Sequence, residues 1–136
     1  MILPDGKKDK AYNGKWNGVG GKAKKGESPE ECAIREIYEE TGYVTNDPKL
    51  SGILTFPDMS MGVDWCVFVF IVKTFSGYEK ASSEGQLKWF TKKEIIGLNL
   101  WEADHIFLPL VFKEKFFTGK FTYINGKLQT YKLKHH

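Results

Sequence analysis

The stretch GKAKKGESPEECAIREIYEETGY, residues 21–43, decides the fold. Within it, Ser28-Pro29-Glu30-Glu31 reads as a helix start. Serine suits the N-cap, proline suits the first helical position, and Glu31 completes a capping box. Gly42 is a C-terminal stop, so the spacing predicts a helix over 29–41. At about 100° per residue, Ala33, Ile34, Ile37, Tyr38 and Thr41 share one arc that should face the core, while Glu36, Glu39 and Glu40 crowd the opposite arc. Like charges at i,i+3 and i,i+4 cost a few tenths of a kcal/mol per pair, and Arg35 is the one basic residue beside them. A solvated face would alternate its signs; concentrated acid points to a cation held among the carboxylates. Oxygen-only ligands suit Mg²⁺ or Mn²⁺ and argue against zinc. Such a cation shares its coordination with substrate phosphates, so the expected chemistry is metal-assisted attack of water on a phosphate.

Working outward, Trp16-Asn17-Gly18-Val19-Gly20-Gly21 is a turn whose glycines permit close backbone approach. It is either an ordinary loop or a backbone cradle for phosphate or metal. Lys7, Lys8, Lys10, Lys15, Lys22, Lys24 and Lys25 all precede the acidic helix, as a solvated loop or as an attractor of phosphates.

The chain of 136 residues, 41% of them hydrophobic, is long enough for one domain over 1–136 with a real core. A net charge of +3 does not by itself argue for nucleic acid or a membrane. Cys32 and Cys66 have no metal-ligand spacing, and reduced thiols in a cytoplasmic protein are expected. The longest apolar run, Trp65 to Val72, is far too short to cross a bilayer. The N-terminal residues lack the apolar core of a signal peptide. The aromatics are not interleaved with the lysines as a stacking platform for RNA or DNA requires, so no nucleic-acid polymer is expected as partner. His135 and His136 are assigned no role.

Residues 1–15 leave room for a short strand at most. Leu50 to Phe56 reads as a strand ended by Pro57-Asp58. Trp65 to Val72, apolar throughout, reads as a strand covered on both faces. Ala81 to Gly85 is a polar loop containing Glu84, and Leu87 to Phe90 a short strand. Thr91 caps a short helix ending near Ile96. Asp104 caps a helix over about 105–116, with Pro109 limiting its first turns. Phe121 to Tyr131 is a hairpin about Asn125-Gly126, the favoured pair for a type I′ turn. Helices among strands indicate an α/β sandwich in one domain.

Gly21, Glu27, Arg35-Glu36-Ile37, Glu39-Glu40 and Gly42, at their spacings, resemble the Nudix box, residues 21–43. Every fixed position is met; the last, usually aliphatic, position is Tyr43. The resemblance implies a Nudix fold, a single-domain α/β/α sandwich with a mixed sheet, and hydrolysis of a nucleoside diphosphate linked to another group. It implies that Glu36, Glu39 and Glu40 are metal ligands, that Gly21 offers its carbonyl, and that Glu27 and Arg35 form a supporting ion pair. Lys15 to Lys22, Trp101 to Asp104 with Phe107-Leu108-Pro109, and Phe117 to Phe121 resemble the MutT-type 8-oxo-dGTP diphosphatases of the same family. There the resemblance implies that Asn17 hydrogen-bonds the purine, Trp101 stacks on it, and Asp104 reads its edge; a tryptophan before a helix is otherwise a core residue. Phe56 is a candidate to line the same pocket and Lys22 a candidate substrate contact. Ala103 stands where the second acid of the pair is usual. Glu84, five residues before Trp89, is implied as a further ligand or as the base. The first strand usual in the group has no evident counterpart.

The function so implied is Mg²⁺-dependent pyrophosphohydrolysis of 8-oxo-dGTP or a similar oxidised purine nucleotide to a monophosphate and pyrophosphate, by a cytoplasmic monomer or homodimer. The alternatives are another Nudix substrate (an ordinary NTP, a dinucleoside polyphosphate or capped RNA) and a non-catalytic nucleotide-binding module.

Overall fold

The computed structural model describes residues 2–4, 14–80 and 85–136. They fall into two compact units, Met1–Pro48 with Val72–Trp101, and Lys49–Ile71 with Glu102–His136.

The first unit carries the helix predicted from the box. The helix α1 spans Pro29–Thr41, and Ser28 and Glu31 form the reciprocal capping box at its start. It ends on Gly42, whose φ of 85° closes the turn in the left-handed region and whose N–H donates to the Tyr38 carbonyl. A short strand, β1 (Ile2–Pro4), pairs antiparallel with β6 (Gly85–Leu87); β2 (Tyr43–Val44) pairs antiparallel with β5 (Ser76–Gly77). The predicted short strand at 87–90 thus lies mostly ahead of its expected place. Thr91 and Glu94 cap α2, Lys92–Ile96, again reciprocally. Tyr43, the departure at the end of the box, is explained by packing: its ring meets Phe75 edge-on at 4.9 Å and lies 6.1 Å from Trp89.

The second unit is a four-stranded mixed sheet in the order β4-β3-β7-β8, with α3 packed on it. The strands are β3 (Lys49–Ser60), β4 (Val63–Ile71), β7 (Phe117–Ile124) and β8 (Lys127–His135); α3 spans Glu102–Phe112. Strand β3 runs antiparallel to β4 and parallel to β7. The parallel ladder sets Gly52 opposite Phe117, where any Cβ would strike the phenyl ring. Leu54, Ala103, Phe107, Leu110, Phe117 and Phe121 form the core. On α3 these residues recur at i, i+4, i+7, and on β7 at period two, the spacings that put each set on one face.

Four expectations are corrected here. Strand β3 does not stop at Phe56 but continues past Pro57 to Ser60, because the ladder with β4 is interrupted between Phe56 and Ser60 and needs no N–H from the proline there. Strand β4 is not covered on both faces: Cys66 and Phe68 are exposed while Val67 and Val69 pack against the core. Helix α3 begins three residues before the expected start and contains Asp104 and Pro109. His135, given no role, continues β8 opposite Phe117, and the His136 N–H donates to the Phe116 carbonyl.

The hairpin forms as expected, with Asn125 and Gly126 both at positive φ, 52° and 77°, as a type I′ turn requires. Among the described residues no helix is long and apolar enough to cross a membrane.

Candidate functional site

Helix α1 and the glycine turn before it are locked together through carboxylates. The Gly20 N–H donates to Glu40 Oε2 at 2.9 Å, and Glu40 is only 3% exposed. Gly21 lies against Glu36: a Cβ on Gly21 would fall 2.5 Å from Glu36 Oε1. The Cys32 thiol reaches the Gly21 carbonyl at 3.8 Å, and burial pushes that thiol's pKa up. Glycine at 21 is therefore the space that the Glu36 carboxylate fills.

Arg35 is the hub of this arrangement. Its Nε and Nη2 clamp the two oxygens of Glu27 at 2.7 and 3.0 Å, and Nη2 also donates to the Lys22 carbonyl at 3.0 Å. Its Nη1 donates to Glu36 Oε1 at 2.8 Å and to Glu39 Oε2 at 3.0 Å. Hydrogen bonding from Arg35, aided by the Lys24 N–H, holds the Glu27 carboxyl down at about 2. The same bonds raise the guanidinium's pKa further. The pair joins the loop to the helix by a planar fork that a lysine could not supply.

The acids of α1 share one helical face but differ in exposure. Glu40 is buried, Glu36 is half-buried, and Tyr38, expected in the core, is 52% exposed with Lys80 Nζ over its ring at 4.5 Å. The glycine turn covers Glu36 and Glu40 and leaves Glu39 open, which a helical wheel drawn on α1 alone cannot show.

Among the described residues no three side chains of His, Cys, Asp or Glu stand ready as a closed cation cage. The reason is visible in the bonds: Glu36 and Glu39 share one guanidinium nitrogen, and Glu40 is turned onto the Gly20 N–H. The donor chemistry nevertheless fits a hard divalent cation. All three are carboxylates on one helix, and two already converge on a single positive charge. Glu84 lies outside the described residues, as do Lys7, Lys8 and Lys10.

In the first unit the turn that carries Asn17 is tied to the segment just before Trp101. The Trp16 N–H donates to the Asn99 carbonyl at 3.0 Å, and the Asn99 side chain donates to the Gly14 carbonyl at 2.8 Å. These bonds dock the turn beside Trp101, over whose ring Lys15 Nζ lies at 5.1 Å. Asn17 Nδ2 donates to the Lys15 carbonyl at 3.2 Å. Lys22 is exposed on the turn. An apolar cleft of about 160 Å³, lined by Val19, Ile37, Tyr43, Phe75 and Trp89 among others, contains none of the three α1 carboxylates.

In the second unit Asp104 sits half-buried in the first turn of α3, where burial pushes its carboxyl up to about 7. Phe56 stacks on Phe121 at 5.9 Å and lies 6.3 Å from the ring of Tyr123. Ala103, where the second acid was expected, is 1% exposed and belongs to the core; an acid there would be buried among phenylalanines. The sequence reading missed Tyr123, whose hydroxyl accepts the Ala103 N–H at 2.8 Å. A signal for it existed. Tyr123 shares the period-two face of Phe117 and Phe121, and a hydroxyl carried onto a core face needs a partner.

Known proteins resemble this chain in sequence and in fold. A family model described as the NUDIX domain matches residues 2–111. The chain is 32% identical over 110 residues to a Danio rerio protein named oxidized purine nucleoside triphosphate hydrolase, covering 81% of this chain and 70% of that one. A Mus musculus protein of the same name matches with the same identity and coverage. A Bacillus subtilis protein named uncharacterized Nudix hydrolase YvcI is 33% identical over 119 residues, covering 84% of this chain and 75% of that one. The crystal structure of the mutator MutT protein from Bacillus halodurans superposes with a TM-score of 0.80 at 33% identity, over 88% of this chain and 82% of that one.

Proposed function

Because this chain belongs to the NUDIX family of hydrolases, we propose that it hydrolyses oxidised purine nucleoside triphosphates, 8-oxo-dGTP or a close analogue, to the monophosphate and pyrophosphate. The observation that carries the reading is the seating of Glu36 and Glu40 against the Gly20-Gly21 turn, with Glu39 joined to Glu36 through Arg35 Nη1. The family acts with divalent metal ions. Here Glu36, Glu39, Glu40 and the Gly21 carbonyl are the residues to hold Mg²⁺, or Mn²⁺ in its place, with Glu84 as a further ligand. When bound, such an ion neutralises charge developing on the phosphate oxygens.

The chain's own residues do the rest. Glu27 and Arg35 keep the loop and the helix in one geometry. One of Glu39, Glu40 and Glu84 takes the proton of the attacking water; Glu39, 50% exposed, is open to it. Lys22 meets the phosphates. Asn17 hydrogen-bonds the purine, Trp101 stacks on it and Phe56 lines its pocket. Asp104 reads the base edge. A carboxyl that titrates near 7 can donate as well as accept at neutral pH, which suits a base edge carrying both kinds of group. The names of the Danio rerio and Mus musculus relatives support the choice of substrate class. The enzyme is read as a cytoplasmic monomer or homodimer.

The test is a panel of nucleotides assayed with Mg²⁺, including 8-oxo-dGTP, dGTP, a dinucleoside polyphosphate and capped RNA, beside Glu40→Gln. The expected result is preference for the oxidised purine and loss of turnover by at least about a hundredfold in the variant. Equal rates on 8-oxo-dGTP and dGTP would sink the substrate assignment. A wild type with no metal-dependent turnover would sink the enzyme reading.

A further inference from the structure

Helix α3 starts without a side-chain cap of its own. Trp101 precedes it and offers no acceptor, yet the first N–H groups of any helix lack intrahelical partners. At Ala103 water cannot serve, because the residue is 1% exposed. The partner comes instead from 20 residues downstream: Tyr123 Oη on β7, at 2.8 Å. Burial raises the pKa of that hydroxyl, and Phe56 packs near its ring. The tyrosine thus does from the sheet what serine or threonine does for α1 and α2 from within the chain.

Asp104 is the next residue in the same turn. Its backbone position follows from where α3 begins, and α3 begins where Tyr123 caps it. With Ala103 turned into the core, Asp104 alone remains of the acidic pair expected there.

We propose that Tyr123 is a positioning residue for nucleobase recognition: through the Ala103 N–H it sets the start of α3 and so aims Asp104 at the base. The inference rests on the reading above that Asp104 meets the base. It predicts that the hydroxyl matters to substrate choice and the ring to stability. The test is Tyr123→Phe, which keeps the ring, compared with Asp104→Asn and the double variant, on 8-oxo-dGTP and dGTP with Mg²⁺. In Tyr123→Phe, KM for the oxidised nucleotide rises about tenfold, kcat stays within about twofold, and preference over dGTP narrows. The double variant is no worse than Asp104→Asn, because both changes act on one contact. The Ala103 amide also exchanges with solvent faster in Tyr123→Phe than in wild type.

If Tyr123→Phe lowers kcat or the melting temperature while KM and preference stay unchanged, the tyrosine is merely structural and the inference falls. Unchanged exchange at Ala103 overturns it as well, independently of any kinetics. If Asp104→Asn raises KM and Tyr123→Phe does not, the inference fails alone. If Asp104→Asn has no effect on KM or preference, the base-recognition reading fails and takes this one with it.

Discussion

Replacing Gly21 with alanine tests the link between fold and chemistry most directly. The added Cβ would lie 2.5 Å from Glu36 Oε1 and 2.6 Å from its Cδ, whereas ordinary contact begins at 3.4 Å, so the carboxylate must retreat by about 0.9 Å. A carboxylate at the end of a free side chain would do so at little cost. This one is held by Arg35 Nη1 at 2.8 Å, and Arg35 cannot follow it, because Glu27 and the Lys22 carbonyl hold the guanidinium from the other side. A retreat of that size takes the bond out of hydrogen-bonding range. Losing a bond between charged partners whose side chains are only 19% and 12% exposed destabilises the fold. The expected result is a Tm below that of wild type. A shift of about 1 Å in a positioned group also costs on the order of a hundredfold in rate. Thermal melts in the absence of metal and kcat/KM with Mg²⁺ measure the two effects separately. Gly20→Ala is the control, since a Cβ there meets nothing within 4 Å and the N–H to Glu40 is kept; its Tm should stay within about 1 °C of wild type. A Gly21→Ala protein as stable and as active as wild type would refute the seating of Glu36 against the turn.

Two further predictions concern pH. Asp104 titrates at about 7 in the folded chain against 3.8 for an exposed carboxyl, so the folded state holds the extra proton; the resulting stability is complete below 3.8 and is lost as pH rises toward 7. Asp104→Asn should remove that decline, and the difference in Tm should shift steadily in the variant's favour from pH 4 to pH 7 and then level off; parallel Tm curves would contradict it. Glu27 behaves in the opposite sense. Its carboxyl is lowered to about 2 from 4.5, so its contribution is present above 4.5 and disappears as pH falls through 2. The Tm of Glu27→Gln should lie below wild type at pH 7 and approach it near pH 2, and a constant gap across that range would rule out the ion pair as the cause.

The helix of the box was legible residue by residue. Ser28, Pro29, Glu31 and Gly42 act through bonds to neighbours within four positions, so local chemistry sufficed to place both ends of α1. The Asn125-Gly126 turn and the Thr91 cap were legible for the same reason. The environment of the acids was not. Glu40 is buried because a turn twenty residues earlier folds over it, and Tyr38 is exposed although its periodicity assigns it to the core. Helical periodicity reports which residues share a face, not which face a distant segment covers.

The chain's own order of residues therefore determined the family motif, the boundaries of α1, the three carboxylates and the tight turns, because each depends on spacing along a few turns of backbone. Tertiary structure decided how those carboxylates are held, between Arg35 Nη1 and the Gly20 N–H, and why position 103 is alanine. It also decided where α3 starts. No residue next to Ala103 announces that start, because the group that caps it is a hydroxyl on β7, and a hydrogen bond across 20 residues leaves no local pattern.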